Sequence, residues 1–171
     1  GSAAGYGSSF PIDRDLTTKI LGFSELKINS VAAQMSRGKL EKSVAISLSA
    51  FGDTLSKLCM DICLYMGQDY DFISFPNDMT TGSSIMPHKK NPDLFELARA
   101  KFNMIKGLPN QLTLLTSNLP SGYHRDFQQA KGVIIESINE TKACLEILLL
   151  SLPKIKVSNN IIDQKKYDHL F

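Results

Sequence analysis

Apolar side chains recur every three or four residues over three long stretches of the chain, and period-two alternation is absent from all of them. The first stretch runs from about Lys39 to Met66, with Leu40, Val44, Leu48, Phe51, Leu55, Leu58, Ile62 and Tyr65 in register. The second begins after Pro92 and carries Leu94, Ala98, Phe102, Ile105, Leu108, Leu112 and Leu115. The third extends from near Arg125 to Leu152 through Phe127, Ala130, Ile134, Ile138, Thr141, Leu145 and Leu148. Seams of this spacing belong to helices packed side by side, so the pattern predicts an all-α long-helix bundle. A helix of about 27 residues is roughly 40 Å long. Three such rods cannot hide all their apolar surface within one chain, and partner helices from other chains are expected.

Punctuation along the chain sets the ends of these helices. Gly107 and Pro109 should bend the second stretch, because a proline ring removes a backbone donor. Gly67 is placed to close the first long helix as its C′ residue, and Ser151-Leu152-Pro153 to end the third. Asp13 is expected to cap a short helix through Leu21 that stops at Gly22, and Asn29-Ser30 to cap another through Met35. Past Lys154 the character changes to a short extended segment at Ile155 and Val157 and one turn after Asn159-Asn160. The expected organisation is therefore a partial helical bundle over residues 1–152 and the start of a small, incomplete C-terminal domain over 153–171. No internal repeat is visible.

Composition narrows the function classes. With 43% hydrophobic residues the chain can bury a core, and Lys+Arg 19 against Asp+Glu 17 gives a net charge of +2 with no basic block. Nucleic acid and membrane surfaces are thus unsupported as partners, whereas a small anionic substrate fits. The longest purely apolar run, Ile147 to Leu150, is too short to span a bilayer, and the first nine residues lack the features of a signal peptide, so a cytoplasmic protein is expected. Cys59 and Cys63 lie four apart on one helix face, but without further ligands of matching spacing these cysteines and Cys144 read as buried thiols. No metal or cofactor motif is present.

One segment serves no core. Thr81-Gly82-Ser83-Ser84-Ile85-Met86-Pro87-His88-Lys89-Lys90-Asn91-Pro92 places a glycine, two serines, two lysines and an asparagine between long helices. A serine hydroxyl that is to act as a base needs its pKa lowered steeply, which nearby cations and backbone N–H donors can do. Lys89 supplies charge, the N–H groups around Gly82, Ser83 and Ser84 could form an anion nest, and Asn91 can bind a carboxylate without adding charge. The plainer alternative is a polar helix connector with a capping asparagine.

The run from Gly82 to Pro92 resembles the signature GSSxMPxKxNP of the fumarase/aspartase superfamily at every fixed position. Within it, Phe10-Pro11-Ile12-Asp13-Arg14, Lys90-Asn91-Pro92-Asp93 and Tyr123-His124-Arg125-Asp126-Phe127-Gln128-Gln129-Ala130-Lys131 are similar to segments of the argininosuccinate lyase family. The resemblance implies elimination of arginine from argininosuccinate to give fumarate, in arginine biosynthesis, with a mobile signature loop. It implies Ser83 as the general base, and Lys89, Asn91, Tyr123, Gln128 and Lys131 as substrate-binding residues. A helix starting near Arg125 would set Gln128 and Lys131 three apart on one face with Tyr123 at its mouth, which suits a carboxylate. Read without the loop, those three residues would be a packed tyrosine, a solvated glutamine and a snorkelling lysine.

The match has departures. The family's N-S-x-D-A segment and R-D pair appear here as Asn29-Ser30-Val31-Ala32-Ala33 and Arg37-Gly38, without the two acidic residues. His88 stands where glutamine is commoner and His124 where asparagine is; neither is assigned a catalytic role. Family members are several hundred residues long, and the histidine that serves or orients the acid lies upstream of anything here. The chain thus resembles the second half of the central helical domain and the beginning of the C-terminal domain. In the family each active site draws on three subunits of a homotetramer, so this piece is expected to be inactive alone. Two alternatives are another fumarate-releasing lyase of the superfamily (adenylosuccinate lyase or aspartase), which would share the loop but not the Tyr123 to Lys131 stretch, and a non-enzymatic crystallin-like or oligomerising helical module. The complete signature argues against a third, an unrelated bundle matching by accident.

Overall fold

The computed structural model describes residues 3–82, 84–86, 89–159 and 161. Among them are six α-helices: α1 Arg14–Ile20, α2 Ser30–Met35, α3 Lys39–Tyr65, α4 Asp93–Lys106, α5 Leu108–Leu115 and α6 Phe127–Ser151. Two short strands, β1 Ile73–Ser74 and β2 Lys156–Val157, pair antiparallel with Ile73 opposite Val157. The fold class is all-α and built on long helices, as the periodicity predicts. No helix among the described residues is long and apolar enough to cross a membrane.

Helix ends follow local chemistry. The Asp13 carboxylate accepts from the Leu16 amide at 2.8 Å, and the Asn29 side chain accepts from the Ala32 amide at 3.0 Å, each satisfying an orphan donor of the first turn. Gly22, at φ +73°, follows α1 in the left-handed conformation glycine tolerates. The long apolar run after Pro92 breaks where expected: Gly107 caps α4, and Pro109 falls in the first turn of α5, where its missing N–H costs no helical bond. Gly67 stands where expected, two residues past the end of α3. Its amide closes a turn onto the Leu64 carbonyl at 3.0 Å, but the left-handed residue of this corner is Asp71, at φ +49°.

The chain divides into two compact units, Gly1–Ser47 with Leu108–Ile135 and Leu48–Gly107 with Glu136–Phe171, and α3 and α6 contribute to both. In the first unit Gln34, Ala45, Leu108, Leu112, Phe127 and Ala130 are buried. Arg14 ties α1 to the segment before α2 by donating to the Ile28 and Lys27 carbonyls at 2.8 and 2.6 Å. Gly38, at φ +80°, donates its amide to Glu41 at 2.7 Å, and a Cβ there would stand 2.8 Å from the Phe127 ring. Only glycine fits both the angle and the space.

The second unit holds the larger core: Cys59, Ile62, Phe75, Phe95, Ala98, Phe102, Ile105, Cys144 and Leu148. Phe75 and Phe95 pack with ring centroids 4.8 Å apart. Helices α3 and α4 approach so closely at Gly52 that a Cβ there would lie 3.2 Å from the Phe102 carbonyl oxygen. This contact corrects the predicted seam of α3. Small residues face inward, with Gly52, Ser56 and Cys59 buried, while Leu40, Val44 and Phe51 are 62%, 44% and 42% exposed. In α6 the expected Thr141 and Leu148 are buried in this unit together with Cys144 and Ser151, whereas Ile138, also expected inside, is exposed. The buried hydroxyls are satisfied within the helix: Thr141 donates to the Ser137 carbonyl and Ser151 to that of Ile147, both at 2.7 Å.

Burial pushes the Cys59 thiol up to about 11, with Cys63 and Cys144 adding to the shift and Arg99 opposing it. On the surface of this unit Asp53 bridges Lys106 at 3.0 Å and Lys57 at 3.2 Å, and the hydrogen bonds from those lysines hold its carboxyl below the usual range. The extended tail is tied back by Ser158, whose amide donates to Phe72 O at 2.8 Å and whose hydroxyl donates to Asp71 O at 2.6 Å.

Candidate active site

The signature loop leaves and rejoins the fold through a pinned neck. Thr81 and Asn91 pair as an isolated antiparallel bridge, with Asn91 N donating to Thr81 O at 2.8 Å and Thr81 N to Asn91 O at 3.3 Å. The Thr81 hydroxyl also donates to the Asp93 carboxylate on the first residue of α4. Pro92 starts that helix by offering its carbonyl to the amides of Phe95 and Glu96. The neck is therefore fixed by backbone, hydroxyl and helix start together, and the described residues between its arms are exposed, Ile85 at 88%. Within the loop, Lys89 N donates to Met86 O at 3.0 Å.

Lys89 and Asn91, two of the expected substrate anchors, are brought together on the wall of an open pocket of about 550 Å³. The same pocket is lined by Lys90, Gln68, Asp71 and Cys63, among others. Its volume suits a small-molecule ligand. Two lysines against one aspartate leave the lining net positive, the sign a dicarboxylate needs. Burial holds the Cys63 thiol above the usual range, which disfavours its thiolate. Sequence spacing gave no hint of Cys63, Gln68 or Asp71, which lie 10 to 18 residues before Thr81, where the loop begins. Ser83, the expected base, lies outside the described residues, as do Pro87 and His88 and hence the proposed nest of N–H groups around Ser83.

Tyr123, Gln128 and Lys131 belong to the first unit, whereas Lys89 and Asn91 belong to the second. Helix α6 begins at Phe127, preceded by a turn in which Gln128 N donates to Arg125 O at 2.9 Å. Phe127 and Ala130 turn inward, so Gln128 and Lys131, three residues apart, are exposed, and Tyr123 is 41% exposed before the helix. His124 plays a structural part, since its Nε2 lies 2.7 Å from the Pro120 carbonyl and holds the loop ahead of α6.

Gly82 has no static reason to be glycine. Its φ is outside the left-handed region, and among the described residues an added Cβ would meet the Lys89 carbonyl oxygen alone, at an ordinary 3.6 Å.

With this geometry in view, comparison with known proteins is decisive. The sequence model of the lyase family matches residues 1–107. The chain belongs to the lyase family. Along its whole length it is 52% identical to the argininosuccinate lyases of Parabacteroides distasonis and Bacteroides thetaiotaomicron, covering 38% of each relative, and over 91% of its length 42% identical to that of Xylella fastidiosa. It thus spans well under half of the curated relatives it matches. A solved structure of EDDS lyase in complex with formate superposes on 98% of the chain, covering 32% of the EDDS lyase chain, with a TM-score of 0.72 at 23% identity, which establishes the shared fold.

Proposed function

We propose that the chain is the signature-loop portion of an argininosuccinate lyase, which eliminates arginine from argininosuccinate to give fumarate. The observation that carries the reading is the loop itself. A sequence matching the lyase signature at every fixed position is held at a pinned neck, with Lys89 and Asn91 on a net-positive pocket of ligand size. Whole-length identity near one half to argininosuccinate lyases supports this substrate over the others of the superfamily.

In the proposed reaction Ser83, as its alkoxide, takes a proton from the substrate carbon next to a carboxylate. The electron pair left behind spreads into that carboxylate and then forms the double bond of fumarate as the bond to the arginine guanidino nitrogen breaks. The departing nitrogen collects a proton from an acid supplied by sequence outside this chain. The costly step is the carbanion, so charge and donors aimed at the carboxylate oxygens give the main stabilisation. Lys89 takes that part, Asn91 fixes orientation, and Tyr123, Gln128 and Lys131 hold the remainder of the substrate. Gly82, free of steric demands in this conformation, serves as a hinge that lets the loop close and exclude water.

The complete protein is proposed to work as a homotetramer in the cytoplasm, with 153–171 opening its small C-terminal domain. The exposed apolar residues of α3 and α6, among them Leu40, Phe51, Ile135 and Leu149, support partner helices. The test is to supply the complete protein with argininosuccinate, adenylosuccinate and aspartate separately. Fumarate release from argininosuccinate alone supports the assignment; release from either of the others, or from none, rejects it.

A further inference from the structure

The first unit holds a second pocket, of about 310 Å³, which shares no residue with the candidate active site. Lys39, Lys42, Arg37, Gln34, Ser121 and Gly122 are among its lining residues, and no acidic side chain lines it among the described residues. Arg37 is already committed: its Nε donates to Glu41 at 3.2 Å, a terminal nitrogen donates to the Phe127 carbonyl at 3.3 Å, and its guanidinium lies 5.4 Å from the Phe127 ring centroid. Lys39 and Lys42 are in a different state. They sit three residues apart in the first turn of α3, and neither forms an ion pair among the described residues.

Gln34 supplies the independent observation. It is 7% exposed, and its side-chain Nε2 finds no hydrogen-bond partner among the described residues. A buried amide donor without an acceptor costs about 1–3 kcal/mol, so such groups are usually paired with something. Here Gln34 and two lysines without ion pairs among the described residues line one small cavity at the start of a 27-residue helix, whose amide dipoles add positive potential. What all of them lack is an acceptor carrying negative charge.

We propose that this pocket binds a small oxyanion, a phosphate or carboxylate group, through Lys39, Lys42 and the Gln34 amide, with Arg37 as a fixed wall. The charge-assisted bonds from the lysines supply attraction, and the buried amide supplies direction. The inference does not depend on the lyase reading, since none of its residues is assigned to that reaction.

The test is a two-dimensional amide NMR titration of the 171-residue chain with inorganic phosphate and, separately, with succinate, at constant ionic strength. Saturable shifts at Gly38, Ser121 and Gly122 are expected, and the tighter of the two ligands identifies the head group. The pair Lys39→Met/Lys42→Met, one exposed and one half-buried, should weaken binding at least about tenfold, and Gln34→Leu by about fivefold. If Gln34→Leu does not fold, the lysine pair decides the matter. Absence of saturable shifts at those amides, or equal binding by the lysine double variant, overturns the proposal.

Discussion

Thr81 and Asn91 exchange both of their backbone hydrogen bonds across the base of the signature loop, at 2.8 and 3.3 Å, so the loop hangs from a fixed neck. Hydrogen exchange should resolve this contrast, with the Thr81 and Asn91 amides protected and that of Ser84 exchanging at least about tenfold faster. Thr81→Pro removes one of the two donors and should bring the Asn91 amide to the loop's rate.

A hinge at Gly82 separates stability from turnover. Because a Cβ at this position meets no close contact among the described residues, Gly82→Ala should leave the stability of the chain unchanged or raise it by about 0.4–1 kcal/mol through the unfolded state. In the complete enzyme the same substitution should lower kcat. Urea unfolding and steady-state kinetics on the one variant check both halves.

Gly38 is the opposite case. Its φ of +80° and the Phe127 ring 2.8 Å from a would-be Cβ predict that Gly38→Ala destabilises the chain by about 1–3 kcal/mol, read from the shift in urea midpoint. In the second unit Phe102, fully buried in the core, should cost about 3–5 kcal/mol when replaced by alanine.

The buried thiols set an alkaline limit. The folded state raises Cys59 from 9.0 to about 11, so it holds its proton after the unfolded chain has released its own. This contribution is complete below about pH 9 and is lost between there and about pH 11, at up to about 1.4 kcal/mol per pH unit. Cys59→Ala should flatten the alkaline decline in thermal midpoint, and an unchanged slope would show that the thiol is not responsible.

Where the sequence was legible, a single physical cue dominated. Asp13 and Asn29 cap their helices as read, and Ala98, Phe102, Ile105, Leu108 and Leu112 form the buried line expected after Pro92, because each polar neighbour leaves one face available. Helix α3 was harder, since apolar residues surround it. Periodicity picks out the large ones, yet close packing selected Gly52, Ser56 and Cys59, whose size admits α4. The pairing of Ile73–Ser74 with Lys156–Val157 joins segments more than eighty residues apart, and no local pattern encodes such a partner. At the candidate site the loop motif was readable, but the Cys63, Gln68 and Asp71 walls appear only once the chain turns back on itself.

On the proposed reading the 171-residue piece should be inactive alone, because the acid of the reaction would come from sequence outside it. Assaying fumarate from argininosuccinate with the isolated 171-residue chain checks this, and measurable turnover would contradict it.

The central claim rests on Ser83, and the most direct measurement is fumarate release from argininosuccinate by the complete enzyme with and without Ser83→Ala. The account predicts that turnover falls by at least about a hundredfold while substrate binding is retained. Near-normal turnover by the Ser83→Ala variant would contradict it.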